Sequence, residues 1–170
     1  MDMESVDFGR TPASFSDGSL KVEMNQVLGK VHVQVSAPKI DLELDLILHT
    51  DLVDKQFFVM PLNEDGSHYY VNNKANGVPI TGVYSFEGKD YACLHDFSSR
   101  CHALMDSGRG RFNYHTSWVW GTLLTTIPET HEVFTLNMIY GFGGAPQSQE
   151  QKFSEDFLTI EGKHYKLDQT

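Results

Sequence analysis

The sequence predicts an antiparallel all-β fold, closed into a barrel or stacked as a sandwich, and three observations carry that expectation. About ten short stretches alternate apolar with polar residues at the period of two that a half-buried strand requires. Turn-forming clusters punctuate them, among them Leu28-Gly29, Asn63-Glu-Asp-Gly66, Glu87-Gly-Lys-Asp90 and Glu161-Gly-Lys163. Candidates for helices are few. Closing such a sheet into a barrel removes its edges, and an interior lined by aromatic residues gives a pocket for an apolar ligand.

Taken in order, residues 1–18 are polar and turn-rich and read as an N-terminal arm. Leu20, Val22 and Met24, then Val31, Val33 and Val35, alternate with polar residues and predict a meander. The clearest strand is Ile40 to His49, where Ile40, Leu42, Leu44, Leu46 and Leu48 face one way and Asp41, Glu43 and Asp45 the other. A helix would scatter those acids into its apolar face. Gln56 to Leu62 and His68 to Asn72 continue the pattern. The stretch from Asn72 to Pro79, between this strand and the next at Ile80 to Phe86, contains Asn76-Gly77, a dipeptide that tolerates positive φ. Ile80 to Phe86 and Tyr91 to His95 form a hairpin around Glu87-Gly-Lys-Asp90.

Phe97 to Met105 is ambiguous. The most distinctive stretch is Asp106 to Gly121, where a Gly108-Arg-Gly110 turn leads into a strand placing Phe112, Tyr114, Thr116, Trp118 and Trp120 on one face. Thr122 to Thr130, with Pro128, reads as a connection. His131 to Tyr140 sets Val133, Thr135, Asn137 and Ile139 against Phe134, Leu136, Met138 and Tyr140, which predicts a strand covered on both faces. Gly141 to Gln151 reads as a loop, and Phe157 to Ile160 with His164 to Leu167 as a closing hairpin. The division expected is an arm at 1–18, a first barrel portion at 19–98 and a second at 99–170, or a single domain throughout.

A 170-residue chain with 40% hydrophobic and 12% aromatic residues has the composition of a folded globular protein. Its net charge of -10 repels nucleic acid and anionic membranes. No apolar run approaches the roughly 20 residues that span a bilayer, and the Met1-Asp-Met-Glu start lacks a signal-peptide pattern. An intracellular, cytoplasmic protein is expected, with Cys93 and Cys101 as free thiols.

Several constellations could carry chemistry. Tyr114, Trp118 and Trp120 offer large apolar walls with polar handles, for a ligand cavity or simply a core. Asp106, Arg109 and Arg111 could form a polar site at the barrel mouth, and the same residues could as well be a salt-bridged turn, with Arg109 held by Asp106. His115 falls on the strand face opposite the tryptophans. Cys93, His95, Cys101 and His102 are zinc-ligand types without zinc-site spacing, so no metal is expected. There is no Gly-x-Ser-x-Gly elbow, phosphate loop or dinucleotide fingerprint, and Gly141-Phe-Gly-Gly144 is too short to be one. No catalytic residue and no cofactor is assigned.

The run Pro61, His68-Tyr69-Tyr70, Lys74, Gly82-Val-Tyr84 and Glu87-Gly-Lys-Asp-Tyr91 continues with Leu104-Met-Asp106, Gly108-Arg-Gly110, Tyr114 and Trp118-Val-Trp120-Gly121. It closes with Leu136-Asn137, Tyr140-Gly-Phe-Gly143 and Glu161-Gly-Lys-His-Tyr-Lys-Leu167. Over the last two thirds of the chain this resembles domain of unknown function 2804. That resemblance implies a relation in fold to the lipocalin-like carotenoid hydratase and AttH proteins, hence lipocalin-like barrels, here one barrel plus part of a second. Two departures stand out. Ser107 follows Asp106 where the family usually has Trp, and Thr116 and Ser117 stand where the hydratases carry an acid and an imidazole, so hydratase chemistry does not transfer directly. The expectation is a module binding an apolar or amphipathic small molecule. The alternatives are an interaction subunit pairing through open β-edges, with itself or another protein, and a hydratase- or isomerase-like enzyme on an isoprenoid or polyketide-type substrate.

Overall fold

The computed structural model describes residues 13–63, 65–94, 101–112, 114–115, 117–140 and 155–167. Its strands are β1 (Ala13–Ser16), β2 (Lys21–Val27), β3 (Lys30–Ala37), β4 (Leu42–Leu48), β5 (Gln56–Pro61), β6 (Tyr69–Phe86), β7 (Lys89–Cys93), β8 (His102–Arg111), β9 (Val119–Thr126), β10 (Val133–Tyr140), β11 (Phe157–Ile160) and β12 (Lys163–Lys166). The fold is all-β and antiparallel, of the lipocalin-like kind expected, with one curled half-barrel sheet and a second sheet of four strands. Most of the expected arm, the expected 141–151 loop, His95, Thr116 and part of the ambiguous 97–105 stretch lie outside the described residues.

The hairpins follow from their turn residues. Leu28-Gly29, Glu87-Gly88 and Glu161-Gly162 each hold positive φ at both positions, the conformation whose twist matches a two-residue hairpin. Pro38–Ile40 forms a single 3-10 turn, so the strong alternating strand begins at Leu42 rather than at Ile40.

Two compact units divide the chain, one comprising residues 1–52 and 78–103, the other 53–77 and 104–170. In the first unit β1, β2, β3, β4, the second half of β6 and β7 lie side by side. Register alone sorts their side chains. Val22, Val35, Leu44, Tyr84 and Tyr91 form one row across the sheet, and Glu23, Gln34, Asp45, Val83 and Ala92 the neighbouring row on the other face. The polar face lines an open cavity of about 710 Å³.

In the second unit β5 and β8 flank the first half of β6, and β12, β11, β10 and β9 form the four-stranded sheet. Its apolar core is small, with Met60, Leu62 and Ile139 buried and Phe58 and Tyr70 packed against them.

Five expectations are corrected in this unit. Asn76-Gly77 does not end a strand: β6 runs unbroken from Tyr69 to Phe86, and Gly77 takes φ +72° within it. A Cβ there would lie 3.2 Å from Thr135 Cγ2, so the glycine also permits close packing. Gly108-Arg-Gly110 is not a turn either, but part of β8. Its glycines are required because a Cβ at Gly108 would fall 2.5 Å from the Tyr70 ring and one at Gly110 2.2 Å from the Tyr69 carbonyl oxygen. The aromatic run from Phe112 therefore does not share one strand face. β8 ends at Arg111, β9 starts at Val119, and Thr122 to Thr126 belongs to β9 rather than to a connection. Finally, β10 is not covered on both faces. Thr135, Asn137 and Ile139 are buried, whereas Met138 and Tyr140 are 52% and 63% exposed. The more polar face is the inner one.

Candidate functional site

The inner face of β10 sets the character of the second unit's interior. Register places Trp120 of β9 opposite Ile139, Phe157 of β11 opposite Asn137, and Thr159 opposite both Thr135 and His164. Thr135 and Thr159 share a buried hydroxyl contact of 2.6 Å. On β6, Tyr70, Asn72, Lys74 and Asn76 recur at period two and so point to one side, joined by Gln56 and Phe58 of β5 directly opposite Lys74 and Asn72. An interior strand face carrying two asparagines and a lysine is contrary to what burial alone would choose.

Lys74, with its side chain 3% exposed, is the centre of this face. Its ammonium lies 2.6 Å from Glu155 Oε2 and 3.1 Å from Asp106 Oδ2, and 5.1 Å from the centre of the Trp120 ring. The indole N–H of Trp120 donates to Asn137 Oδ1 at 2.8 Å, and Asn137 Nδ2 donates to the Glu155 carbonyl at 2.8 Å. One amide thus fixes both the indole and the segment bearing Glu155. Asp156 accepts the Ile139 N–H at 2.8 Å and holds the same segment against β10.

Burial pushes the Glu155 carboxyl up from its ordinary range, Lys74 pulls it down, and the nearby carboxylates of Asp106 and Asp156 push it up again. Tyr70 is raised by burial and by the negative charges of Asp106 and Glu155, so its hydroxyl stays protonated. Asn72 Nδ2 donates to that hydroxyl. Burial holds His164 below its ordinary value, and its ring packs 4.7 Å from that of Phe157.

Several buried polar atoms on this inner face have no hydrogen-bond partner among the described residues: Gln56 Oε1, Asn72 Oδ1, both amide atoms of Asn76, Glu155 Oε1 and His164 Nε2. Buried polar groups are almost always paired, and each one left alone costs on the order of 1 to 3 kcal/mol. Those of Gln56, Asn72 and Asn76 lie on the strand face that carries Lys74, and Glu155 is its ion-pair partner.

A family model described as a domain of unknown function (DUF2804) matches residues 1–170. The chain belongs to this family. Comparison with curated proteins and with solved structures found no match.

Of the residues that the sequence singles out, the structure brings two to Lys74 at the partly exposed margin of this interior, Asp106 and Trp120. Trp118, Tyr114, Arg109 and Arg111 are exposed, Tyr114 at 96%. The expected Arg109–Asp106 pair is not formed. Side chains alternate along β8, so residues three apart fall on opposite faces, and Asp106 turns inward to Lys74 instead. Among the described residues no carboxylate pairs with Arg109, and none of them forms a group that could hold a metal ion. No helix among them is long and apolar enough to cross a membrane. Lys74, Glu155, Asn72 and Asn76 were not singled out as site residues. The sequence carried no signal for them: Asn72-Asn-Lys-Ala-Asn76 does not alternate and falls where one strand is expected to give way to the next, and Glu155 precedes its strand.

Proposed function

We propose that the protein binds an amphipathic small molecule inside its second unit. The polar head meets Lys74 and the unpartnered amides around it, while the apolar part follows Phe58, Met60 and the half-exposed face of Trp120. The observation that carries this reading is the set of buried, unpaired polar atoms of Gln56, Asn72, Asn76 and Glu155 facing the same side as Lys74. The adjoining Met60, Leu62 and Ile139 cluster supplies an apolar wall, and a few placed polar groups beside such a wall are the usual make-up of a ligand site. The exposed Tyr114, Trp118, Arg109 and Arg111 are not needed by it.

Trp120 gives the test. In a Trp118→Phe variant it is the sole indole, and titration with lipids, isoprenoid alcohols and aromatic metabolites should produce a saturable change in its emission. If no member of the panel moves that emission, the reading fails.

One feature favours a second reading, an enzyme of the hydratase or isomerase kind suggested by the lipocalin-like resemblance. Adding water across a double bond requires a proton donor held beside the alkene. Glu155, 1% exposed and with its carboxyl raised chiefly by burial, is an acidic group of the second unit's interior that could take up and deliver that proton. Turnover of an isoprenoid alkene in D2O would then place deuterium on carbon, and Glu155→Gln would abolish that exchange while sparing binding.

A further inference from the structure

The ligand's head group can be specified further, and this inference rests on the binding reading above. We infer that the head is uncharged and rich in hydroxyl groups, as in a glycoside or other polyol, rather than a carboxylate, a phosphate or an ammonium.

Charge counting gives the first argument. Lys74 meets two carboxylates, Glu155 at 2.6 Å and Asp106 at 3.1 Å, so the cluster carries one positive and two negative groups. Its ammonium is already matched. An anionic head would add a third negative charge to a site with no free cation among the described inner-face residues, and repulsion grows in a water-poor interior.

The second argument is the inventory of unused atoms. Gln56 Oε1, Asn72 Oδ1 and Glu155 Oε1 accept only, and Asn76 offers one acceptor and one donor. Asn72, Asn76 and Glu155 are each 1% exposed, so water outside the fold does not serve them. Their partner must bring several donors and some acceptors at short spacing. Hydroxyl groups do both, and they fit whichever way the Asn76 amide is turned. An ammonium would satisfy the acceptors but would leave the Asn76 N–H without a partner and would sit beside Lys74.

Trp120 gives the third. The residue is 41% exposed although its N–H and one approach to its ring are occupied by Asn137 and Lys74. An open indole face beside a polar cluster suits the C–H surface of a sugar ring, which is apolar on its face and polar at its rim.

The experiment uses three probes with one tail, octyl β-glucoside, octanoate and octylammonium, titrated below micelle formation at neutral pH by calorimetry. The glucoside should bind at least about tenfold more tightly than either ion, a ratio that one or two satisfied buried hydrogen bonds supply. Asn76→Ala should weaken the glucoside by about tenfold without lowering the melting temperature, since it removes two unpaired buried atoms; a purely structural Asn76 would give the reverse. If octanoate or octylammonium matches the glucoside, the head-group assignment is overturned and the binding site stands. If none of the three binds, and the emission of Trp120 also ignores the wider panel, the binding reading falls with it.

Discussion

The polar face of the first unit and the polar interior of the second carry the same kinds of residue and differ in their access to water. On the first, His32 meets Asp45 at 2.6 Å, Ser36 donates to Glu43 at 2.6 Å and Lys21 meets Glu23 at 3.1 Å, all with substantial exposure. Water solvates whatever those contacts leave unmet, and salt screens them. In the second unit Lys74 and Glu155 are 3% and 1% exposed, and buried amide atoms of Gln56, Asn72 and Asn76 have no hydrogen-bond partner among the described residues. There, each charge or amide is retained against a desolvation cost. The comparison teaches where to look for function in a β-protein, because polar residues on a solvated face need no explanation and polar residues on a buried one do.

The largest effect should come from removing one member of the buried cluster. Lys74→Met leaves Glu155 buried beside Asp106 with no counter-charge, and should lower stability by roughly 3 to 5 kcal/mol. Adding Glu155→Leu should restore much of that loss, because Asp106 is 30% exposed and can hydrate. Denaturant unfolding of the single and double variants measures both. Equal losses in the two would mean that the pair is not what the interior is built around.

Next in size is a steric test at the strand that carries Asp106. Gly110→Ala puts a Cβ at 2.2 Å from the Tyr69 carbonyl oxygen, a backbone atom that cannot swing away. A cost of about 1 to 3 kcal/mol is expected, together with lost ligand response if β8 shifts Asp106. Ser107→Ala, on the outer face of the same strand, should change neither. If Gly110→Ala is as stable as wild type, β8 does not approach β6 as described.

Much of this was legible in the sequence, and the parts that were not have a common cause. Period-two alternation found β2, β3, β4, β5 and β7, and the Glu-Gly turns found two hairpins, because twist and burial act locally there. Asn76-Gly77 was misread since positive φ serves a turn and an in-strand glycine equally well. Gly108 and Gly110 were misread because the Tyr69 and Tyr70 atoms that demand them are distant in sequence. The interior was the hardest. On β10 the rule that the apolar face turns inward would choose Phe134, Leu136, Met138 and Tyr140, yet Thr135 and Asn137 are buried, as partners of Thr159, Trp120 and Glu155. Sequence pattern reports average burial, and a site is where that average is broken.

A smaller effect, read through pH, should separate the two faces again. His164 is held below its ordinary value in the folded protein, chiefly by burial, with Lys166 adding to this and Asp54 opposing it. Below about pH 6.5 the unfolded chain therefore binds the proton first, and stability falls as pH drops toward the folded-state value. Glu155 acts with the opposite sign, since its raised folded-state value makes stability fall as pH rises above the ordinary carboxylate range. Comparing wild type with His164→Leu isolates the histidine. Urea midpoints between pH 7 and pH 5 should decline less steeply in the variant, and parallel declines would show that His164 is not buried neutral.

The smallest effect expected is at Asp45, the most heavily bonded carboxylate on the first unit's polar face. It accepts from Gln34 Nε2 at 3.0 Å and meets His32 Nε2 at 2.6 Å, contacts that lower its pKa. On contacts alone it rivals Glu155. The carboxylate is 53% exposed, however, so water replaces any partner that is lost and the ordering of side chains offsets much of what the pair gains. Asp45→Asn should consequently leave the urea midpoint at neutral pH unchanged within error, and leave the emission response of Trp120 to ligand unchanged as well. A shift comparable to that of Lys74→Met would mean that contact geometry outweighs burial in this fold, and the distinction drawn between its two polar faces would no longer hold.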